Sequence, residues 1–539
     1  MNSENGVAGG TPGGDPDERP SENPQGSPVN EPSLRLHPAA MLIGALKTVR
    51  RWVGALVIPG GAFLASQGFQ VRTMLLVLAG LLVVAALAAV WGVLAWRATT
   101  YGVSGGAFHL RQGVVQKNER TIPLDHVQSV DTVQGVIQRL FGVVEVRVET
   151  AGGGANEPDA SLSALSRDAA GALRRQIEVS RRESSSAEEE EEASVPAVVR
   201  RLATRDLLIA GATSGQIGVA LSLVAVVSQV FDELFSQESV ERVVTSFAPS
   251  SVTAVLLVVA AAGLFAWLLA IGGTVLAHAG FTLSRDGDYL HIRRGLLERR
   301  EATIPISRVQ AVRVVEGVLR QPFGLAALRV ESAGYGENAG VSTILFPLLP
   351  RREVDDFLRA AAPEFAGEPA LEPLPSRALR RYVFRAVLGA LPLVVVVGAI
   401  STFGFYAGLP IPGCGPGGCE FGTVPLFAFE VPFGVLLSPL LLAPAALYGW
   451  LQFQDAGWTL SGDRLFARSR VLALTTTVAP RRRLQSRSVI SSPFQRRLRL
   501  ATLQARVASG GGGAEVRVVD LGSNAAGTLV ERLGPGGSS

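Results

Sequence analysis

Long uncharged apolar runs alternate with polar stretches three times along this chain, and each polar stretch carries its own period-two alternation. Trp52–Val71 and Thr73–Trp96 are separated only by Arg72, Leu207–Phe231 and Val252–Ala277 form a second pair, and Ala386–Tyr406 with Val431–Gln454 form a third. About 20 apolar residues cross a hydrocarbon core. The pattern therefore predicts six transmembrane helices in three hairpins, at 52–96, 207–277 and 386–454. Prolines and glycines such as Pro59, Gly60, Pro392 and Pro439 are compatible with spans, because neighbouring helices re-satisfy the freed backbone.

The polar units run 99–183, 280–365 and 457–533. Each opens on an aromatic-led strand at Tyr101, Phe281 or Trp458, and stretches such as VVEVRVET alternate as half-buried strands do. A helical segment closes each unit, at Asp168–Arg182, Arg352–Ala362 and around Leu529 and Leu533. Several strands with a closing helix predict a small β-sandwich or barrel capped by a C-terminal helix. The expected class is an α+β membrane protein.

The units are copies of one another. Thr121–Gly152 and Thr303–Gly334 match without a gap at 16 of 32 positions, 182 residues apart. In a third copy Pro480, Gln485, Leu500 and Ala501 keep the offsets of Pro123, Gln128, Val143 and Val144. A repeat of this size makes the chain one unit, two spans and a polar domain, used three times.

The repeated block resembles the bacterial PH-like domain (bPH2, formerly DUF304) of membrane-flanked proteins of the YdbT type. Ile122-Pro123-x4-Gln128, Ile304-Pro305-x4-Gln310 and Pro480-x4-Gln485 carry the resemblance, with the Phe141-Gly142 and Phe323-Gly324 steps into the alternating strands. The third copy departs from it, with Arg499 at the place of Gly142 and Gly324 and a longer turn at Gly510–Gly513. The resemblance implies a membrane-bound binding or scaffold module for protein partners or lipid headgroups. It also implies a smaller single-domain membrane protein as a partner.

Composition adds limits. Mean hydropathy is +0.30 with 18% charged residues, which suits a membrane protein. The first 33 residues are Gly-, Pro- and Ser-rich, and residues 1–40 are expected to be a disordered tail with no signal peptide. The Ser/Glu run from Glu183 to Glu192 reads as a solvated acidic linker over 184–204, with an arm folding over the basic domains as the alternative.

Arginines orient the spans. Arg50, Arg51 and Arg97 flank the first pair, Arg200, Arg201 and Arg205 precede the second, and Arg377, Arg380, Arg381 and Arg385 precede the third. Positive-inside counting puts both termini and all three domains in the cytoplasm of a multi-pass inner-membrane protein. Cys414 and Cys419 then lie outside, where they could form one disulfide.

Candidate chemistry is sparse. There is no P-loop, Gly-x-Ser-x-Gly or His-Glu-x-x-His motif, and none of the five histidines has a carboxylate or cysteine at ligand spacing. The expectation is a protein that is not an enzyme, without cofactor or metal. Pro123, Pro305 and Pro480 are expected to end strands, and Gln128, Gln310 and Gln485 to tie a loop to neighbouring backbone rather than to touch a ligand.

Basic clusters recur at one element: Lys117 and Arg120, then Arg299 and Arg300, then Arg481, Arg482 and Arg483, with Arg293, Arg294, Arg308 and Arg313 added in the second unit. Near a bilayer each such charge is worth about 1 kcal/mol toward anionic lipid. Ordinary positive-inside charge accounts for them equally well, and both readings stay open. Few aromatics in the units argue against nucleic acid. The alternative function is a transporter or channel subunit, against which stands the lack of charge within the spans.

Overall fold

The computed structural model describes residues 34–50, 71–124, 126–150, 160–184, 197–214, 252–332, 344–406, 423–426, 429–432, 438–508 and 514–534. Three PH-like domains follow one plan. In the first, β1 (Leu34–Arg35) leads into a helix over 39–50, α1 (Val71–Arg97) returns, and β2 (Thr100–Ser104), β3 (Ala107–Gln112) and β4 (Asn118–Pro123) follow. Then come β5 (Val127–Gln134), α2 (Val136–Leu140), β6 (Val143–Thr150), β7 (Ala160–Ser166) and the closing helix α3 (Arg167–Ser184).

The second domain repeats this with β8 (Ala197–Arg201), α4 (Thr204–Ala212), α5 (Val252–His278), β9 (Thr282–Asp286), β10 (Tyr289–Arg294) and β11 (Arg299–Pro305). It continues with β12 (Val309–Glu316), β13 (Leu325–Ser332), β14 (Ile344–Pro350) and α6 (Val354–Ala361). The third has β15 (Glu372–Pro373), α7 (Ala378–Tyr406), a hairpin of β16 (Thr423–Leu426) and β17 (Phe429–Pro432), and α8 (Leu442–Asp455). Its domain proper is β18 (Gly457–Ser461), β19 (Arg464–Arg470), β20 (Leu474–Pro480), β21 (Leu484–Ile490), α9 (Pro493–Arg497), β22 (Leu500–Val507), β23 (Ala514–Gly522) and α10 (Ser523–Leu533).

Within a domain the first four strands and the last three form the two faces of a sandwich, and the closing helix covers an open end. The core of the first domain joins Phe108, Leu110 and Ile122 from one face to Val146, Val148 and Leu162 from the other, with Leu173 and Ile177 of α3. Strands β4 and β5 are three residues apart in sequence yet do not pair. The repeated proline explains the corner. β4, β11 and β20 each end on it, at Pro123, Pro305 and Pro480, where the missing N–H ends the ladder. A 3-10 turn follows in the second and third domains, Ile306–Arg308 and Arg481–Arg483, and redirects the chain to the other face.

The sheets do not stop at domain boundaries. β5 pairs antiparallel with β11, giving one seven-stranded sheet in the order β7-β6-β5-β11-β10-β9-β8. β12 pairs likewise with β20, giving β14-β13-β12-β20-β19-β18-β15. A four-stranded sheet, β1 to β4, and a three-stranded one, β21 to β23, are left at the two ends.

Cores cross the seam as well. Phe466 and Val478 of the third domain pack in the core of the second, and Ala311 of the second packs in that of the third. Burying a Phe or Val side chain stabilises by about 1.5–3 kcal/mol.

Among the described residues three helices are long and apolar enough to cross a bilayer, with spans at Leu75–Arg97, Ala260–His278 and Ala378–Ala399. Each packs against a second helix (39–50, α4 and α8) at a glycine with no room for a Cβ. A Cβ on Gly92 would sit 2.5 Å from the Met41 carbonyl, one on Gly211 3.0 Å from Ile271 Cα, and one on Gly449 2.7 Å from Val383 Cα. Small residues at such crossings let backbones approach.

Several expected boundaries need correction. Residues 34–40 belong to the first domain, not to a tail: Leu34–Arg35 pair with β2, and Leu36, Ala39 and Ala40 are buried in its core. Residues 197–201 are strand β8, not linker, and pair with β9. The helix that begins before Leu207 closes at Thr213, whose N–H bonds the Ile209 carbonyl, so it is a short element docked on the domain. Among the described residues of Val431–Gln454, 431–432 end strand β17, Ser438–Leu441 is a 3-10 turn and α-helix begins at Leu442. Residues 1–33 and 185–196, the run 51–70, the stretch 215–251 and the Cys414/Cys419 loop lie outside the described residues.

Candidate functional site

Five of the eleven expected basic residues meet an acid of the same chain. Arg293 pairs with Glu301 at 2.6 Å, Arg300 with Glu298 at 2.6 Å and Arg313 with Glu331 at 3.0 Å. Arg482 and Arg483 of the third domain both reach Glu364 of the second, and Arg483 also donates to the Ser307 carbonyl. Arg481 donates to the Gly534 carbonyl. Arg294 is buried, 3.2 Å from His278 Nε2, and burial first, then the charge of Arg300, pushes its pKa down to about 10. Lys117, Arg120 and Arg299 are exposed, while Arg308 is half-buried in its 3-10 turn. Glu298 and Glu301 lie beside these residues in the sequence, whereas Glu331 and Glu364 are brought to theirs by the fold.

The glutamines are not equivalent. Gln310 is buried and its Nε2 donates to the Arg308 carbonyl at 3.0 Å, which closes the corner on itself. Gln485 is exposed on β21, and the side chain of Gln128 lies outside the described residues. Arg499, at the place of Gly142 (φ 66°) and Gly324 (φ 59°), holds the same left-handed conformation at φ 51°. That costs about 1–2 kcal/mol for a residue with a Cβ.

Each domain has a polar joint to the helix that follows its first strand, and sequence reasoning missed all three. In the first, Glu145 Oε2 accepts from Lys47 Nζ at 3.0 Å and Oε1 from Arg147 Nε at 2.9 Å. Burial opposes ionisation of Glu145, but the two cations outweigh it and hold its pKa below the ordinary value. In the second, Arg320 donates to the Ala210 carbonyl (3.2 Å), Thr213 Oγ1 (3.1 Å) and the Pro347 carbonyl (3.1 Å). It thus caps the C-terminal end of α4, where unpaired carbonyls favour a cation.

In the third joint, Asp520 is 0% exposed at the end of β23. Its Oδ1 accepts from Arg381 Nε of α7 at 3.0 Å and from Gln495 Nε2 at 2.7 Å. Gln495 is held by a capping box with Ser492 and also donates to Thr502 Oγ1 at 2.8 Å. Arg385 lies 3.9 Å from Asp520 Oδ2 and over the Tyr382 ring at 4.7 Å. The one signal in the sequence was Lys47, one of two lysines, placed where a span should begin.

Apolar residues recur at two exposed tips. The turn after the third strand of each domain's first sheet carries Val115, Leu296 with Leu297, or Val471 with Leu472. The segment after the seam strand carries Val136, Leu140 and Phe141, or Leu319 and Phe323, or Phe494. In the second domain Leu296 N–H donates to the Leu276 carbonyl at 3.0 Å, so the tip lies level with the last turn of α5. Arg139 of the first domain bonds the Leu296 carbonyl at 2.7 Å, which brings the two kinds of tip together. In the third, Gln452 of α8 bonds the Arg470 carbonyl at 3.1 Å.

A cleft of about 560 Å³ opens along the second seam, lined in part by Arg351, Asp355, Glu368, Arg468 and Thr476. Its charges are matched internally: Arg351 meets Glu368 at 2.6 Å and Glu316 at 3.4 Å, and Arg468 lies 3.8 Å from Glu316.

Three matches to one family model, described as bacterial PH domain, cover residues 45–181, 200–364 and 416–534. The chain belongs to the bacterial PH domain family. It is also 31% identical over 524 residues to the UPF0699 transmembrane protein YdbT of Bacillus subtilis (strain 168), covering 93% of this chain and 98% of that relative. No solved structure matches. As a bacterial PH-domain protein with apolar helices of spanning length, it is a membrane protein with a repeated domain. Two seams and three joints are the features that this repetition builds.

Proposed function

We propose that the protein is a membrane-embedded scaffold, holding three PH-like domains in a fixed row on the cytoplasmic face for protein partners to bind. The observation that carries this reading is the pairing of β5 with β11 and of β12 with β20. Strands cannot pair across a bilayer, so paired domains share one face, and an even number of crossings must separate them. That favours three hairpins, each with a second crossing beside the apolar helix of spanning length. The arginines beside the helices on the domain side favour the inner membrane with cytoplasmic termini. Tethered sites in a row raise effective concentration, so one partner touching two domains gains affinity without new contacts.

Internal pairing of five of these arginines with acids reduces the charge offered to anionic headgroups. Apolar tips are the contact with lipid that the geometry favours, as amphipathic faces settle at the headgroup boundary. An environment-sensitive fluorophore on Leu297→Cys or Leu472→Cys should therefore be quenched by spin-labelled lipid. The same probe on exposed Arg506→Cys should not, and equal quenching at the three sites would contradict the placement. For the scaffold itself, cross-linking in native membranes and purification in mild detergent should recover at least one other protein bound to the domains. Recovery of the chain alone would count against it.

A further inference from the structure

We propose that copies of this chain join head to tail in the membrane, with β21 of one pairing to β4 of the next. The two internal seams have the same register. With copies offset by 182 and 175 residues, Arg299↔Gln134 and Leu474↔Glu316 are one and the same pair of positions, as are Arg300↔Val133 and Thr475↔Val315. Each seam joins the fifth strand of one domain to the fourth strand of the next. Three domains make two such seams, so one strand of each kind is left over, β4 at the head and β21 at the tail. Among the described residues nothing pairs with the outer edge of either.

Burial shows the difference. Val133 and Val314 in the seams are 5% and 3% exposed, whereas Ile490 and Val489, their counterparts on β21, are 48% and 42% exposed. All but Ile122 of β4 is exposed, whereas the matching β20 is buried almost throughout. Charge on an edge strand often guards it against pairing, but β11 pairs with Arg300 and Glu301 in place, so Asn118, Glu119 and Arg120 are no bar.

The occupant follows from complementarity. The free edges are of opposite kinds and sit on the same chain, and the internal seams already show the geometry in which such edges meet. Repeating the seam register sets Asn118 opposite Ile490, Glu119 opposite Val489 and Arg120 opposite Ser488. This is a heterologous contact, which closes into a ring or propagates. Because every domain carries its own membrane helices, successive copies remain in the bilayer plane. The inference rests on the reading that all three domains lie on one face.

The test uses the full chain in native membranes with Cys414 and Cys419 replaced by serine. Chains carrying Asn118→Cys are co-expressed with differently tagged chains carrying Ile490→Cys and mildly oxidised. Facing residues of antiparallel strands lie 4.5–5.5 Å apart, within reach of a disulfide. A dimer containing both tags is expected, with none when either variant is expressed alone. Val315→Cys with Thr475→Cys, the same positions at the second seam, serves as the internal control.

Control disulfide without a mixed dimer would overturn the head-to-tail contact and leave the scaffold reading standing. Failure of the control would remove the seam itself and both readings with it. A chain carrying both Asn118→Cys and Ile490→Cys that closes only on itself, or an Ile490→Cys chain that links only to another protein, would overturn a second copy as the occupant.

Discussion

Replacing Asp520 with alanine is expected to lower the stability of the third domain by about 3–5 kcal/mol, the cost of breaking a buried ion pair from one side. The carboxylate is fully buried, and it is the acceptor for both Arg381 and Gln495. Without it the Arg381 guanidinium on α7 stays mostly enclosed with no counter-charge, and Gln495 loses one of its two side-chain partners. The left-handed backbone at φ 62° adds to the loss, since Asp and Asn tolerate it better than Ala. Domains of this size have about 5–15 kcal/mol in total, so much of the margin goes.

Asp520→Asn keeps shape and backbone preference and should cost less. Combining Asp520→Ala with Arg381→Met should recover part of the loss, because the enclosed guanidinium is then removed with its counter-charge. Thermal unfolding of the purified protein in detergent, followed by protease resistance of residues 457–533, measures all three. An Asp520→Ala protein that melts with the parent would show that the joint between α7 and β23 carries no weight.

Much of the fold was legible because two periods dominate the sequence. Apolar runs of spanning length and alternation within VVEVRVET and AALRVESA report on local structure, and the gap-free repeat fixes how often the unit occurs. The seams were not legible for a physical reason. β4 and β5 follow each other so closely that a hairpin is the natural expectation, and nothing in either strand names a partner more than 150 residues away.

The Pro-x4-Gln motif marks the corner where that hairpin fails to form. Its recurrence is thus the local trace of a non-local pairing. The partners of Arg482 and Arg483 were hidden for the same reason. Arg482 and Arg483 read as surface until Glu364 of the preceding domain is brought beside them. Asp520 is by position one acid in a strand, and only tertiary structure sets Arg381 and Gln495 around it.

The second large effect concerns the seam. Thr476 sits in β20 between β12 and β19, facing Val314 on one side and Arg468 on the other. A strand with neighbours on both edges has no place for proline, which removes a ladder donor and strains the pairing. Thr476→Pro is expected to cost about 1–3 kcal/mol for the lost ladder bond and to part the second domain from the third, while the core of the first remains intact.

The seam disulfide reads this directly and tests the central claim, that continuous sheets fix the domains in one row. Val315→Cys and Thr475→Cys face each other across the seam. They would be introduced into a chain lacking Cys414 and Cys419, with a protease site placed between residues 407 and 422. After mild oxidation of native membranes and cleavage, the account requires the two fragments to stay together until a reductant is added, and to separate without one once Thr476→Pro is present. Fragments of the unaltered seam that separate without reductant would contradict it.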